Sequence, residues 1–101
     1  MVSAADYRAT VRKGRRVGTP NALLYVLAQP VVGPTRLGFI VSKAVGNSVT
    51  RNLLTRRLRS IGLDFVRSRP TGTDVVIRAL PGSAGVSWAT LQGEILGGLN
   101  S

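Results

Sequence analysis

The sequence contains no cysteine and no histidine among its 101 residues. The absence of cysteine excludes disulfide bonds and thiolate-bound metals, and the absence of histidine removes the usual general base and zinc ligand. Acidic residues are also scarce, since only Asp6, Asp64, Asp74 and Glu94 occur and most lie far apart in the chain. A metal-dependent nuclease needs a cluster of such groups. The composition therefore argues against a chain that cleaves nucleic acid by itself.

Long apolar runs are absent as well. None approaches the roughly 20 residues that a membrane-spanning helix needs. The first residues also lack the basic and then apolar pattern of a secretory signal. We therefore expect a cytoplasmic protein with no membrane partner, and the length of 101 residues fits one small domain.

Positive charge is what the sequence has in excess. Fourteen Lys and Arg against four Asp and Glu give a net charge of +10. Thirteen of the basic residues lie in residues 1–70, whereas residues 71–101 carry a net charge of −1. Twelve of the fourteen basic residues are arginine. Arginine binds phosphate at two points, although a GC-rich genome would enrich arginine in the same way. The imbalance predicts a polyanionic partner.

Hydrophobic periodicity predicts an alternation of helices and strands. The predicted elements are helices at about 4–13, 48–61 and 88–98 and strands at about 23–28, 36–42 and 74–80, with a short first strand near 16–18. Asn47 or Ser48 would cap the second helix and Gly62 would end it. Trp88 is expected in the core, on the apolar stripe of the last helix. This order predicts an α+β sandwich, with helices packed on one sheet.

The second predicted helix separates apolar from basic residues. Leu54, Leu58 and Ile61 share one side at helical spacing. The opposite side carries a polar and basic set: Arg51, Asn52, Arg56 and Arg59. A solvated face usually mixes charges of both signs, but no acidic residue lies between Ser42 and Leu63. Because arginines at this spacing can pair with phosphates and an amide can contact a sugar or base edge, the helix predicts a nucleic-acid contact.

The same region carries a family signature. The run RLGFIVSKAVGNSVTRN at residues 36–52, followed by RRLR at 56–59, resembles the signature of the bacterial ribonuclease P protein component. Asp6-Tyr7 resembles the Asp-Phe pair near the start of that family, and residues 74–78 match its late strand. The resemblance covers nearly the whole chain and is dense over residues 36–59.

The resemblance implies a fold, an RNA partner and separate roles for the protein and the RNA. The implied fold is an αβββαβα sandwich, one mixed sheet with packed helices, similar to a ribosomal protein domain and with a left-handed βαβ crossover. The implied function is to bind the catalytic RNA subunit and the 5′ leader of precursor tRNA during endonucleolytic 5′ maturation of tRNA. The RNA subunit performs the cleavage with Mg²⁺. No catalytic residue, bound metal or obligate protein partner is expected for this chain.

The resemblance also implies two sets of RNA-contacting residues. The residues implied to face the catalytic RNA are Lys43, Arg51, Asn52, Arg56 and Arg59, with Arg57 beside them. The residues implied to line a cleft for the single-stranded leader are Tyr7, Val11, Tyr25, Ile40 and Ser42. Aromatic side chains beside a basic groove suit single strands, because bases stack on rings regardless of sequence.

Three positions depart from the family pattern. Leu53 replaces the second arginine of the Arg-Asn-Arg box, Thr55 the lysine after it, and Ala44 the second lysine of Ser-Lys-Lys. These departures predict weaker RNA binding through the second helix, which Arg57 would partly offset. Family members usually carry a further basic segment before the Asp-Phe pair, so we expect residues 1–101 to be a single ribonuclease P protein domain without that segment.

The alternative is a ribosomal-type structural protein that binds RNA without any role in cleavage. It would share the basic helix face and the fold class. It does not predict a leader cleft into which Tyr7 and Tyr25 both face.

Overall fold

The computed structural model describes residues 4–100, with side chains from Tyr7 onward. Its elements follow the αβββαβα order that the resemblance implies. They are α1 (Ala4–Lys13), β1 (Arg15–Gly18), β2 (Ala22–Ala28), β3 (Arg36–Ile40), α2 (Ser48–Ser68), β4 (Thr73–Ala79) and α3 (Trp88–Leu99). Short 3₁₀ turns at Lys43–Val45 and Ser83–Gly85 precede α2 and α3.

The four strands form one mixed sheet in the order β1-β2-β4-β3. β2 pairs antiparallel with both β1 and β4, whereas β3 pairs parallel with β4 and places Phe39 opposite Ile77. Parallel neighbours cannot be joined by a tight turn, so the chain crosses from β3 to β4 through α2. The βαβ crossover is confirmed, its left-handedness stays a prediction, and β3 is left at the open edge of the sheet.

α2 and α3 cover one face of this sheet. Leu24 of β2 and Ile77 of β4 point into a core that also holds Leu58, Phe65 and Ile95 from the two helices, and each of these side chains is completely buried. The predicted apolar side of the second helix is therefore confirmed. Its opposite side faces away from the sheet.

α1 lies on the other face, where it contacts β2 and β4. Tyr25 and Val76 are buried on this face. The ring of Tyr7 packs directly over Gly38, where a Cβ would lie 2.7 Å from the ring. This contact fixes α1 against β3 and positions Tyr7 at the sheet edge.

α2 is longer than predicted, since it continues through Gly62 to Ser68. Gly62 is buried against β3, and a Cβ there would lie 2.8 Å from the Cδ1 atom of Leu37. The glycine thus permits a close approach of helix and strand rather than ending the helix. The predicted cap is confirmed as Asn47, whose side chain accepts a hydrogen bond from the Thr50 amide at 2.9 Å.

The prediction for Trp88 is wrong. Leu91, Ile95 and Leu99 of the α3 stripe are buried, but Trp88 is 37% exposed. It is the first residue of the helix, directly after the exposed Ser87 that caps it. The apolar side of α3 is therefore buried only from Leu91 onward.

Candidate RNA-binding surfaces

The outer side of α2 carries a group of basic side chains, which we call the α2 basic face. It consists of Arg51, Asn52, Arg56, Arg57 and Arg59, with Lys43 in the turn just before the helix. Lys43, Asn52, Arg56 and Arg59 are exposed, while Arg51 and Arg57 are half-buried. The structure therefore brings the six predicted residues onto one helix and its leading turn.

The acidic side chains that the structure describes are engaged elsewhere. Asp64 lies 3.5 Å from Arg67 and accepts a hydrogen bond from Gln92, and Glu94 accepts hydrogen bonds from Asn21. Asp74 is 96% buried and pairs with Arg36 at 2.7 Å. The charge of the α2 basic face is therefore free to meet an external anion.

Two of the departures from the family pattern fall on this helix, at Leu53 and Thr55. Leu53 is 49% exposed, which places it off the buried stripe, as its position on the helix predicts. Thr55 is half-buried and its hydroxyl donates to the Arg51 carbonyl at 2.8 Å. Neither side chain adds charge to the α2 basic face.

A shallow cleft lies between α1 and the sheet, with a volume of about 280 Å³. Tyr7, Val11 and Ile40 line it, together with the exposed Arg8 and Arg12. The Tyr7 hydroxyl accepts a hydrogen bond from the Phe39 amide at 2.9 Å and so holds the ring in place. We call this the α1 cleft. It joins an aromatic ring, two aliphatic side chains and two arginines.

Tyr25 and Ser42 do not line the α1 cleft. Tyr25 is only 7% exposed, because it lies in β2 on the sheet face that α1 covers. Little of the Tyr25 ring is accessible for stacking in this structure, and its place in a leader cleft stays a prediction. Ser42 is exposed just beyond the end of β3. Conversely, Arg8 and Arg12 line the cleft, and helical spacing beside Tyr7 and Val11 was the sequence signal for them.

Comparison with known proteins identifies the family. The family model described as Ribonuclease P matches residues 1–101. The ribonuclease P protein component of Clavibacter michiganensis is 52% identical over 95 residues, which cover 94% of this chain and 84% of that protein. The corresponding protein of Pseudarthrobacter chlorophenolicus is 48% identical over 99 residues, covering 98% and 73%. The chain belongs to the ribonuclease P protein family.

Solved structures of this family share the fold. The ribonuclease P protein of Staphylococcus aureus superposes with a TM-score of 0.85 at 24% identity, covering 99% of this chain and 91% of that one. The protein of Thermotoga maritima gives a TM-score of 0.74 at 22% identity, with coverage of 91% and 86%. The mixed sheet with three packed helices is thus the fold of ribonuclease P proteins.

Family membership decides between the functions that the sequence left open. The chain is a protein component of ribonuclease P, an endoribonuclease whose RNA subunit performs catalysis and which acts in 5′ processing of tRNA. Its partner is therefore the RNA of that ribonucleoprotein. The alternative of a ribosomal-type protein without a role in cleavage is excluded.

Within residues 7–100, whose side chains the structure describes, metal ligands do not cluster. No three Asp, Glu, His or Cys side chains of this part of the chain come together as ligands of one ion. The same part of the chain has no helix that is both long and apolar enough to span a membrane.

Proposed function

We propose that the α2 basic face is the contact surface for the RNA subunit of ribonuclease P. The observation that carries this proposal is the two-sided character of α2: Leu58 and Ile61 are fixed in the core while Arg56 and Arg59 project outward. The helix already fixes the backbone of these arginines, so pairing with phosphates orders only their side chains. Arginine pairs with phosphate at two points. Asn52 adds a neutral group for a ribose hydroxyl or base edge.

The α1 cleft is proposed to bind the 5′ leader of precursor tRNA. Three observations support it: the Tyr7 ring is half-exposed, Val11 and Ile40 extend the apolar surface beside it, and Arg8 and Arg12 flank them. An unpaired base can stack on the ring while its phosphate meets an arginine. Mature tRNA lacks the leader, so this contact would distinguish substrate from product.

In this proposal the chain binds RNA, and the RNA subunit cleaves the precursor tRNA. The described side chains do not fit a bound Mg²⁺, because their acids are dispersed and already paired. The Mg²⁺ that the holoenzyme requires is therefore assigned to the RNA. We place the complex in the cytoplasm, where precursor tRNA would be its substrate, and it needs no further protein partner.

The leader contact is tested by two variants with opposite expected effects. Tyr7→Leu removes the ring, and a base stacked on an aromatic side chain contributes about 1–3 kcal/mol, so affinity for precursor tRNA should fall about ten-fold. Val11→Phe adds a ring at a position that is 38% exposed, so affinity should rise. Both are measured on the reconstituted holoenzyme with precursor and mature tRNA. Equal changes for the two ligands would contradict a leader contact in the α1 cleft.

A further inference from the structure

A second groove runs along the open edge of β3 and is lined by residues of both α1 and α2. Its volume is about 440 Å³, within the roughly 300–1,000 Å³ of small-molecule sites. Tyr7 forms one wall, Leu63 and Val66 of α2 form the other, and Leu37 forms the floor. Arg59 lines it from α2. We call this the β3-edge groove, and it adjoins the α1 cleft at Tyr7.

The floor of the β3-edge groove presents backbone hydrogen-bonding groups. The Phe39 amide and carbonyl both bond to the Tyr7 hydroxyl, at 2.9 and 3.4 Å, so they point away from β4. Amide and carbonyl groups of alternate residues in a parallel strand point to the same side. The Leu37 amide and carbonyl therefore also face the open edge, and the described residues provide no hydrogen-bond partner for them.

This arrangement fits a small planar group better than a peptide strand. A strand that joined the edge would need several successive pairs of backbone groups, but Tyr7 already occupies the pair at Phe39. One donor and one acceptor remain, at Leu37, between the aromatic ring of Tyr7 and the aliphatic side chains of Leu63 and Val66. An exposed cation, Arg59, lies on the same groove. A base with its phosphate offers a flat apolar face, a donor and acceptor on one edge, and an adjacent negative charge.

We infer that the β3-edge groove binds one unstacked nucleotide of single-stranded RNA. The base lies against Tyr7 and Leu63, its polar edge bonds to the Leu37 backbone, and its phosphate pairs with Arg59. Every base has neighbouring donors and acceptors on an edge, so the subsite accepts any of the four bases. The inference rests on the proposed function, because Arg59 also belongs to the α2 basic face. The nucleotide has two possible sources, the leader and the RNA subunit, and the experiment separates them.

The direct test is site-specific crosslinking in the reconstituted holoenzyme with precursor tRNA. A photoreactive phenylalanine analogue replaces Leu63, which is 50% exposed on the groove wall. The same analogue at Ala89, exposed on α3, serves as the control. The inference expects position 63 to crosslink to an unpaired nucleotide and position 89 to give no RNA product. Mapping the crosslinked base to the leader or to the RNA subunit identifies the source, and either result supports the subsite.

A binding measurement gives an independent readout. Leu63→Glu should lower affinity for the RNA that contains the crosslinked nucleotide by about ten-fold, since it blocks the groove and repels the phosphate. Ala89→Glu makes the same change in net charge on the far helix and should leave affinity within two-fold. Leu63→Gln removes the apolar contact without adding charge. Its loss of RNA affinity should lie between that of the unchanged protein and that of Leu63→Glu.

The outcomes distinguish this inference from the proposed function. Crosslinking of position 63 to a second copy of the chain, or to no RNA, would overturn the inference. So would equal effects of Leu63→Glu and Ala89→Glu. If Arg56→Ala still weakens RNA binding in those cases, the α2 basic face stands without the nucleotide subsite. If Arg56→Ala has no effect, the proposed function fails instead.

Discussion

Leu53 interrupts the basic surface of α2 with an exposed apolar side chain. It is 49% exposed, and its neighbour one turn earlier, Val49, is 77% exposed. Neither contributes to the buried core. The signature that the chain resembles has an arginine at the Leu53 position, between Asn52 and the following basic residues. If the α2 basic face binds RNA as proposed, this chain makes fewer ionic contacts there than the family pattern provides.

Leu53→Arg is predicted to tighten binding of the RNA subunit. One added phosphate contact should steepen the dependence of log affinity on log salt by about 0.7–0.9. Surface substitutions away from packed features usually change stability by less than about 0.5 kcal/mol, so thermal unfolding should hardly change. Filter binding over a salt series, with a melting curve of each protein, measures both. A large loss of stability would instead show that Leu53 belongs to the core.

Particular residues show which parts of the candidate sites can be predicted from the sequence and which cannot. The spacing of basic residues on one helix was enough to predict the α2 basic face. The residues alone favour core packing for Tyr25, and only the resemblance places it in a cleft. The sequence does not decide between the two, because it does not show how α1 crosses β2. The β3-edge groove escaped prediction for a similar reason. Its walls come from residue 7 and from residues 63 and 66, and they meet only because β3 lies at the sheet edge.

Among the elements, α3 has the least favourable composition for a helix. It contains Gly93, Gly97 and Gly98, and each glycine costs an exposed helix about 1 kcal/mol relative to alanine. The three differ in their surroundings. A Cβ at Gly93 or Gly97 would meet nothing within 4 Å, whereas a Cβ at Gly98 would lie 2.6 Å from the Cδ1 atom of the buried Leu24.

Gly93→Ala and Gly97→Ala are therefore each predicted to stabilise the protein by roughly 1 kcal/mol. Gly98→Ala should be less stable than these two variants by about 1–3 kcal/mol, because the added methyl group has no space against the sheet. Urea unfolding of the three variants checks this. The three substitutions are chemically identical on one helix, so equal stabilities would refute the packing of α3 on β2.

The predicted element boundaries are correct where a capping residue sets the boundary. They are wrong where a tertiary contact sets it. Asn47 caps α2 as predicted, and Ser87 caps α3 in the same way. Each side chain accepts a hydrogen bond from the backbone amide three residues later. Gly62 resembled a helix end but serves the packing of α2 on β3. Strand order could not be derived either, because a parallel β3–β4 pair and an edge β3 depend on the crossover. Periodicity predicted the correct element order, and the family resemblance added that the sheet is mixed.

On the scale of the whole molecule, charge is divided between two regions. Residues 1–70 carry nearly all the basic side chains and include α1 and α2, whereas residues 71–101 are almost neutral. α3 contains Glu94 as its one charged residue, and Asn21 binds that side chain. This division agrees with the RNA contacts proposed for α1, α2 and the β3 edge. It leaves α3 to support the core.

The central claim is that the α2 basic face binds the RNA subunit through phosphates. The most direct test is the affinity of the chain for its ribonuclease P RNA over a salt series, for the unchanged protein, Arg56→Ala and Arg67→Ala. Arg67 is the matched control, because it lies on the same helix, its side chain is 81% exposed, and it lies beside Asp64. The account predicts that Arg56→Ala weakens binding and reduces the log–log slope by about 0.7–0.9, while Arg67→Ala leaves the slope unchanged. An unchanged slope for a folded Arg56→Ala protein would contradict it.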